Sequence, residues 1–374
     1  MSPTSKLASF DAHLREVIRL STHSAGFGSA CIPGFDQLAL ELFALQFEQN
    51  APYRRFCEAR RILPKTAAHW TAIPAVPTSA FKELDLSCLP VEQRTRVFHS
   101  SGTTAHQPSR HFHNAPSLAL YETSLLAWFN THFQSAIGNW QLAILTPPPS
   151  EAPHSSLVHM FETIRRGLSP GQSPFVGTAA QDGAWALDLE ATIRFLRSTT
   201  STQQPCLMLG TAFSFAHLLD HLTEQGLRFA LPPGSCALET GGYKGRSRVL
   251  PQPALHALIT QRLGIPATHI VCEYGMSELS SQAYDLALAG TPAARHDRRC
   301  FHFPPWARVQ VVSPEDGHEV GDGETGLIRV FDLANVWSVM AIQTEDLGVR
   351  HGDGFALAGR AVMAEPRGCS LMAV

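Results

Sequence analysis

A chain of 374 residues, 44% hydrophobic and 16% charged, is long enough to bury a large core without disulfides or metal clips. Its formal net charge of −3 gives no broad electrostatic case for nucleic acid, and no run approaches the ~18 apolar residues of a spanning helix. The segment Met1 to Asp11 lacks the apolar centre of a signal peptide, and the eight cysteines (31, 57, 88, 206, 236, 272, 300 and 369) form no Cys-x-x-Cys, so reduced thiols and a cytoplasmic location are expected.

Residues 1–97 read as mainly helical. Phe35, Leu38, Leu42 and Leu45 share one helical face, with Glu41 and Gln46 off it. Pro64, Pro74 and Pro77 then break any helix, and Phe81-Lys82-Glu83-Leu84 follows as a short mixed segment. From 98 to 300, short apolar runs alternate with amphipathic stretches. Strands are expected at Gln141–Thr146, Cys206–Leu209, Cys236–Glu239 and His269–Tyr274, and helices at Ser155–Arg166, Leu187–Arg197, Thr211–Gln225 and Leu255–Leu263. That alternation predicts an α/β core with a largely parallel sheet. The period changes after 300. Ala307–Val312 alternates, Ser313-Pro-Glu-Asp-Gly317 turns, and Thr325–Phe331, Val339–Ile342 and Phe355–Ala358 supply further strands. A smaller β-rich subdomain is expected over 301–360, followed by a tail over 361–374.

Three short motifs carry chemistry. In Phe98-His99-Ser100-Ser101-Gly102-Thr103-Thr104, small hydroxyl residues around a glycine suit a phosphate cradle, although a plain polar turn reads the same way and no Walker ending follows. In Cys272-Glu273-Tyr274-Gly275-Met276-Ser277-Glu278, a strand ends at the sheet edge where α/β folds bind ligands. Tyr274 there is placed to stack a purine and Glu278 to hold Mg²⁺. In Thr344-Glu345-Asp346-Leu347-Gly348 with Gly359-Arg360, a carboxylate at a strand end suits two ribose hydroxyls, and the arginine adds a hydrogen bond or neutralises phosphate. Taken singly, each is weak. His296, Cys300 and His302 lack a fourth ligand at finger spacing, and no Gly-x-Ser-x-Gly elbow is present. The stripe Leu118, Tyr121, Leu125 and Trp128 reads first as core.

In this order and spacing the three motifs resemble the adenylate-forming enzyme superfamily. Within it the chain looks like the acyl-protein synthetase family, the fatty-acid-activating component of the bacterial luciferase aldehyde-supplying system. Pro77-Thr-Ser-Ala-Phe-Lys82, Ser109-Arg-His111, Glu239-Thr-Gly-Gly-Tyr-Lys244, Phe303-Pro-Pro-Trp306, Val330-Phe-Asp-Leu-Ala-Asn335 and Arg367-Gly-Cys-Ser-Leu371 extend the likeness over most of the chain. The resemblance implies the N-terminal domain of such an enzyme, a layered α/β core with a smaller β-rich subdomain, using ATP and Mg²⁺. Ser100, Ser101, Gly102, Thr103 and Thr104 would form the phosphate loop, with His111 behind it. Gly241, Gly242 and Tyr274 would line the adenine site. Ser277 and Glu278, in the loop begun by Gly275 and Met276, would meet the α-phosphate and Mg²⁺, and Asp346 and Arg360 the ribose. Ala105 departs from the usual glycine.

Larger members of the superfamily carry a mobile C-terminal domain whose lysine meets the reacting carboxylate. Here the sequence ends 14 residues after Arg360 and its four lysines are Lys6, Lys65, Lys82 and Lys244, so that domain is expected to be lacking. Positive charge at the reacting centre would then come from Mg²⁺, Lys244, an arginine or a histidine. The resemblance also implies that Cys369 takes the acyl group as a thioester before a partner reductase does. Cys369 lies nine residues past Arg360, and an extended chain spans at most ~3.6 Å per residue, a reach of ~30 Å. Two other readings remain open from sequence: an adenylating enzyme that loads an aryl or fatty acid onto a carrier protein or coenzyme A, and a nucleotide- or acyl-binding protein without catalysis.

Overall fold

The computed structural model describes residues 3–23, 32, 34–100, 108–133, 140–168, 173–180, 184–241, 250–285, 288 and 299–360. Three helices lead: α1 (Pro3–His23), α2 (Phe35–Gln49) and α3 (Ala51–Ala59). Asn50 makes the corner between the last two, because its side chain accepts from the Tyr53 amide and caps α3 while Pro52 occupies the first turn. Phe35, Leu38, Leu42 and Leu45 are buried as their spacing predicts. Gln46 corrects that reading, since it is fully buried rather than off the face. Its amide donates to the Asn335 carbonyl (2.7 Å) and the Val336 carbonyl (3.2 Å), and its oxygen accepts from the Met340 amide (3.0 Å). A glutamine can enter a core when a distant loop offers donors and acceptors in the right places, and periodicity does not reveal such a loop.

The chain then runs through β1 (Val76–Pro77), α4 (Ala80–Glu83), the hairpin β2 (Arg96–His99) and β3 (Arg110–His113), and α5 (Ala115–Phe133). The layered core follows as β4 (Gln141–Ile144), α6 (Ser156–Leu168), the hairpin β5 (Gly177–Ala179) and β6 (Trp185–Leu187), α7 (Leu189–Thr202), β7 (Cys206–Thr211), α8 (Ala212–Glu224), β8 (Cys236–Thr240), α9 (Gln252–Leu263), β9 (Ile270–Tyr274) and β10 (Ala283–Tyr284). Strands β4, β7, β8 and β9 are parallel neighbours, and β10 closes the β9 edge antiparallel. Alternate residues serve opposite faces. Leu142, Ile144, Leu207, Leu209, Leu238 and Val271 join the core that includes α5 and α6, whereas Ala143, Cys206, Met208, Ala237 and Ile270 join the core built with α8 and α9. Burial on both faces explains why these strands read as apolar runs, interrupted toward the carboxyl ends of β8 and β9 by Glu239 and Glu273.

A second sheet comprises β11 (Ala307–Val312), β12 (Thr325–Asp332), β13 (Ala341–His351) and β14 (Gly354–Arg360). Strand β12 holds one edge of β13, and the other edge is shared by β14 and by β1, which pairs parallel through Val76↔Ile342. The sequence places Asp346 at a strand end, but β13 runs straight through it. Polar residues persist inside this strand because neighbouring strands pair them: Gln343 accepts from Arg329 at 2.9 Å, and Asp346 accepts from Arg360 at 3.0 Å.

Candidate active site

Strands β8 and β9 end side by side, and parallel sheets bind ligands beyond such carboxyl ends. Gly241, just past β8, has φ +70° and open space where a Cβ would sit, a conformation that favours glycine. Gly275, just past β9, leaves room for the Glu273 carboxylate, which an added Cβ would strike. Tyr274 is 7% exposed, with its ring against Phe301, Phe303 and Phe355. Its hydroxyl donates to Asp346 Oδ2 at 2.9 Å, while Arg360 Nε donates to Asp346 Oδ1 at 3.0 Å. Burial, with Asp346 alongside, pushes the Tyr274 phenol well above its ordinary value and keeps it a donor. Tyr274 thus holds Asp346 through its hydroxyl, with its ring packed among the three phenylalanines.

Facing this trio is a buried carboxylate. Ser109, at the mouth of the β2–β3 hairpin, donates its hydroxyl to Glu278 Oε1 at 2.7 Å. His111 stacks on Phe81 at 4.5 Å and points Nε2 toward the same oxygen from 3.8 Å, without a hydrogen-bond partner. Burial pulls His111 down to about 3, so at neutral pH it offers a polar nitrogen and not a charge. Burial pushes Glu278 up, and the Ser109 hydroxyl together with the positive charges of Arg360 and Lys82 opposes that shift. A buried carboxylate with one side-chain hydroxyl donor fits a hard divalent cation completed by phosphate oxygens, and the unpartnered His111 Nε2 beside it is free to hydrogen-bond a bound group. His111, Ser277, Ser280 and Asn335 also line a small cavity here.

Asp332 and Asn335 hold the loop that carries Glu278. Asp332 accepts from the amides of Ser280 (2.9 Å), Ser281 (2.8 Å) and Ala334 (2.9 Å) and from the Ser281 hydroxyl (2.8 Å). Asn335 donates to the Glu278 carbonyl at 2.8 Å and accepts from Ser280 Oγ at 2.7 Å. Sequence reasoning assigned these residues no role. The signal was present in the polar run Ser280-Ser281-Gln282, unexpected in an otherwise buried stretch.

Glu273, on the other side of β9, was missed too. It accepts from Thr240, and burial, opposed by Thr240 and reinforced by Glu239, pushes it up to about 7. A carboxyl raised from its ordinary 4.5 in the fold stabilises fully below pH 4.5, and the benefit is lost as pH climbs through 7. Glu273→Gln is expected to remove about 3 kcal/mol of this pH dependence between those limits. Urea melts at several pH values check this, and a wild-type profile no steeper than the variant's would refute it.

The structure brings together Ser100, His111, Gly241, Tyr274, Gly275, Met276, Ser277, Glu278, Asp346 and Arg360 around the ends of β8, β9 and β14, the middle of β13 and the β2–β3 hairpin. Ser100 closes the hairpin: its amide donates to the Ser109 carbonyl at 3.2 Å and its Oγ accepts from the Ser109 amide at 3.0 Å. Ser101, Gly102, Thr103, Thr104, Ala105, Gly242, Lys244, His296 and Cys369 lie outside the described residues. Among the described lysines it is Lys82, on α4, whose charge is felt at Glu278.

Comparison with known proteins identifies the fold and the family. A long-chain-fatty-acid–luciferin-component ligase of Aliivibrio fischeri is 22% identical over 319 residues, spanning 84% of this chain and 78% of that protein. A 2-hydroxyisobutyryl-CoA ligase, solved in an open conformation with 2-HIB-AMP and CoA, superposes with a TM-score of 0.62 at 14% identity over 90% of this chain and 79% of its own. The same ligase in its postadenylation state with 2-HIB-AMP gives 0.61 at 15% identity, over 87% and 67%. At these identities the structures establish the fold, that of adenylate-forming enzymes. Among the described residues no helix is long and apolar enough to cross a membrane. The family described as "Acyl-protein synthetase, LuxE" matches residues 33–373, nearly the whole sequence, and the chain is a ligase that belongs to that family.

Proposed function

We propose that this ligase activates a long-chain fatty acid with ATP, holds the acyl-adenylate at the β8–β9 edge, passes the acyl group to Cys369, and delivers it from there to a reductase partner. The observation that carries the reading is the pairing of the Tyr274–Asp346–Arg360 trio with the buried Glu278, which gives one site a diol acceptor and a cation ligand. A fatty acid fits the name of the Aliivibrio relative, and the thioester relay fits the family.

The first step asks little acid–base chemistry. A carboxylic acid of ordinary pKa, ~4.3, is already ionised at pH 7. Its oxygen attacks the α-phosphorus of ATP, and the bond to pyrophosphate breaks. Asp346, aimed by Tyr274 and Arg360, accepts from the ribose hydroxyls and fixes the nucleotide, while neutral His111 donates or accepts a hydrogen bond beside the reacting groups. Magnesium, when bound at Glu278, supplies the charge that screens the leaving pyrophosphate. The Cys369 thiolate then attacks the acyl carbonyl, forming a thioester and releasing AMP.

Acid-dependent ATP–pyrophosphate exchange across fatty and aryl acids tests the first step, and covalent retention of labelled acyl groups tests the second. Exchange is expected with long-chain fatty acids, and Cys369→Ala should keep it while losing the covalent label entirely. Silence with every acid would refute the adenylation reading. A Cys369→Ala chain that still becomes acylated would refute the relay.

A further inference from the structure

Behind the nucleotide edge, three metal-ligating side chains converge that the proposed reaction does not use. Glu239 on β8 and Cys272 on β9 are register partners, so their side chains leave the sheet on the same face. Helix α9 brings His256 to that face. His256 Nε2 lies 3.5 Å from Glu239 Oε2 and 3.5 Å from Cys272 Sγ, and Cys272 Sγ donates to Glu239 Oε2 at 2.7 Å. Exposures are only 7%, 5% and 4% for Glu239, His256 and Cys272. Among the described residues no other three His, Cys, Asp or Glu side chains converge this closely.

The distances suit a tetrahedral ion. With metal–ligand bonds of about 2.0–2.3 Å, the edges between ligand atoms are about 3.4–3.6 Å. Both edges to His256 already have that length. The edge from sulfur to carboxylate must open by about 0.8 Å, a rotation of the Glu239 carboxylate once the thiol proton has left for solvent. Charge closes as well. A thiolate, a carboxylate and a neutral imidazole together carry −2, so a divalent cation makes the buried cluster neutral. Asp285 adds no third negative charge, because Arg299 pairs with it at 2.8 Å and its other oxygen accepts from the Cys272 amide at 2.7 Å. The Gln252 side-chain Nε2 donates to Cys272 Sγ at 2.7 Å and to Asp285 Oδ2 at 3.4 Å, so it would stabilise a thiolate and leave the fourth position to water. Thiolate and imidazole donors select zinc over magnesium or calcium.

We propose that Glu239, His256 and Cys272, completed by a water, form a structural zinc site that ties β8, β9 and α9 together beneath Gly241 and Tyr274. The ion forms bonds to sulfur, nitrogen and oxygen, one proton is released from the thiol, and no electron moves. The site stands whether or not the adenylation reading does.

The test is elemental analysis of the full chain after equilibration with zinc and removal of free metal, together with cobalt(II) substitution. One zinc per wild-type chain is expected, with a thiolate-to-cobalt charge-transfer band. The zinc content of Cys272→Ser and His256→Ala should fall roughly tenfold or more. Stripping the metal with a chelator should lower the wild-type melting temperature and leave that of Cys272→Ser unmoved. Folded wild-type protein with neither bound zinc nor the cobalt–thiolate band overturns the proposal, and so does a folded Cys272→Ser variant that retains zinc. Should both variants fail to fold, the wild-type measurements decide alone.

Discussion

Asp332→Ala is expected to cost the fold about 3–5 kcal/mol, a large share of the 5–15 kcal/mol by which folded domains are stable. The carboxylate is fully buried and accepts four hydrogen bonds, three of them from backbone amides. Alanine leaves the three amides without this acceptor in a place water does not reach, and the Ser281 hydroxyl keeps only Ser124 Oγ at 3.0 Å; each unsatisfied buried group costs about 1–3 kcal/mol before relaxation. The effect should spread to the site, since Ser280 and Ser281 lie directly after the loop that carries Glu278. Asp332→Asn keeps the volume but turns an amide donor toward donors, so it should fall between the wild type and alanine. Urea denaturation at neutral pH decides it, and an alanine variant within 1 kcal/mol of wild type would show that the four contacts do not hold the loop.

Glu278→Gln is expected to reduce acid-dependent ATP–pyrophosphate exchange about 10²–10³-fold while leaving the protein folded. Glutamine retains the shape and an oxygen to accept from Ser109, so the hydrogen bond at 2.7 Å survives. What it removes is the negative charge, which alone distinguishes a cation ligand from a structural acceptor. Loss of a buried charge is not itself destabilising, so the melting temperature should hold or rise slightly. A variant that exchanges within a few-fold of wild type would remove Glu278 from the chemistry.

Local pattern made the layered core legible. Runs such as Cys206–Leu209 and Ile270–Cys272 are apolar because both faces of a parallel sheet are covered, and Phe35, Leu38, Leu42 and Leu45 repeat at helical spacing because one stripe is. The site was partly legible for a different reason. Tyr274, Glu278, Asp346 and Arg360 sit in short motifs whose order along the chain carries a resemblance. What stayed hidden depends on partners far away in sequence. Gln46 reads as a surface residue until the Asn335–Met340 segment answers its amide, and Asp346 reads as a strand end until Arg360 pairs with it from β14. Asp332 reads as one polar residue at the end of an apolar strand, although four donors converge on it. Glu239, His256 and Cys272 belong to three separate elements, and only the register of β8 on β9 brings them together.

The two-residue strand β1 has a consequence for the order in which the molecule can be completed. Val76 pairs with Ile342, so the edge of the second sheet closes only when segments 266 positions apart have met. At a synthesis rate of about 5–20 residues per second, the early segment waits roughly 13–50 s on the ribosome before its neighbour is made. During that interval Phe35, Leu38 and Leu42 have no second sheet to cover them, and the cost of closing so long a loop is met late, after most local structure has formed. Strand β1 therefore acts as a clasp fastened late, and assembly of this ligase is slowest where Val76 and Pro77 must find Ile342 and Gln343.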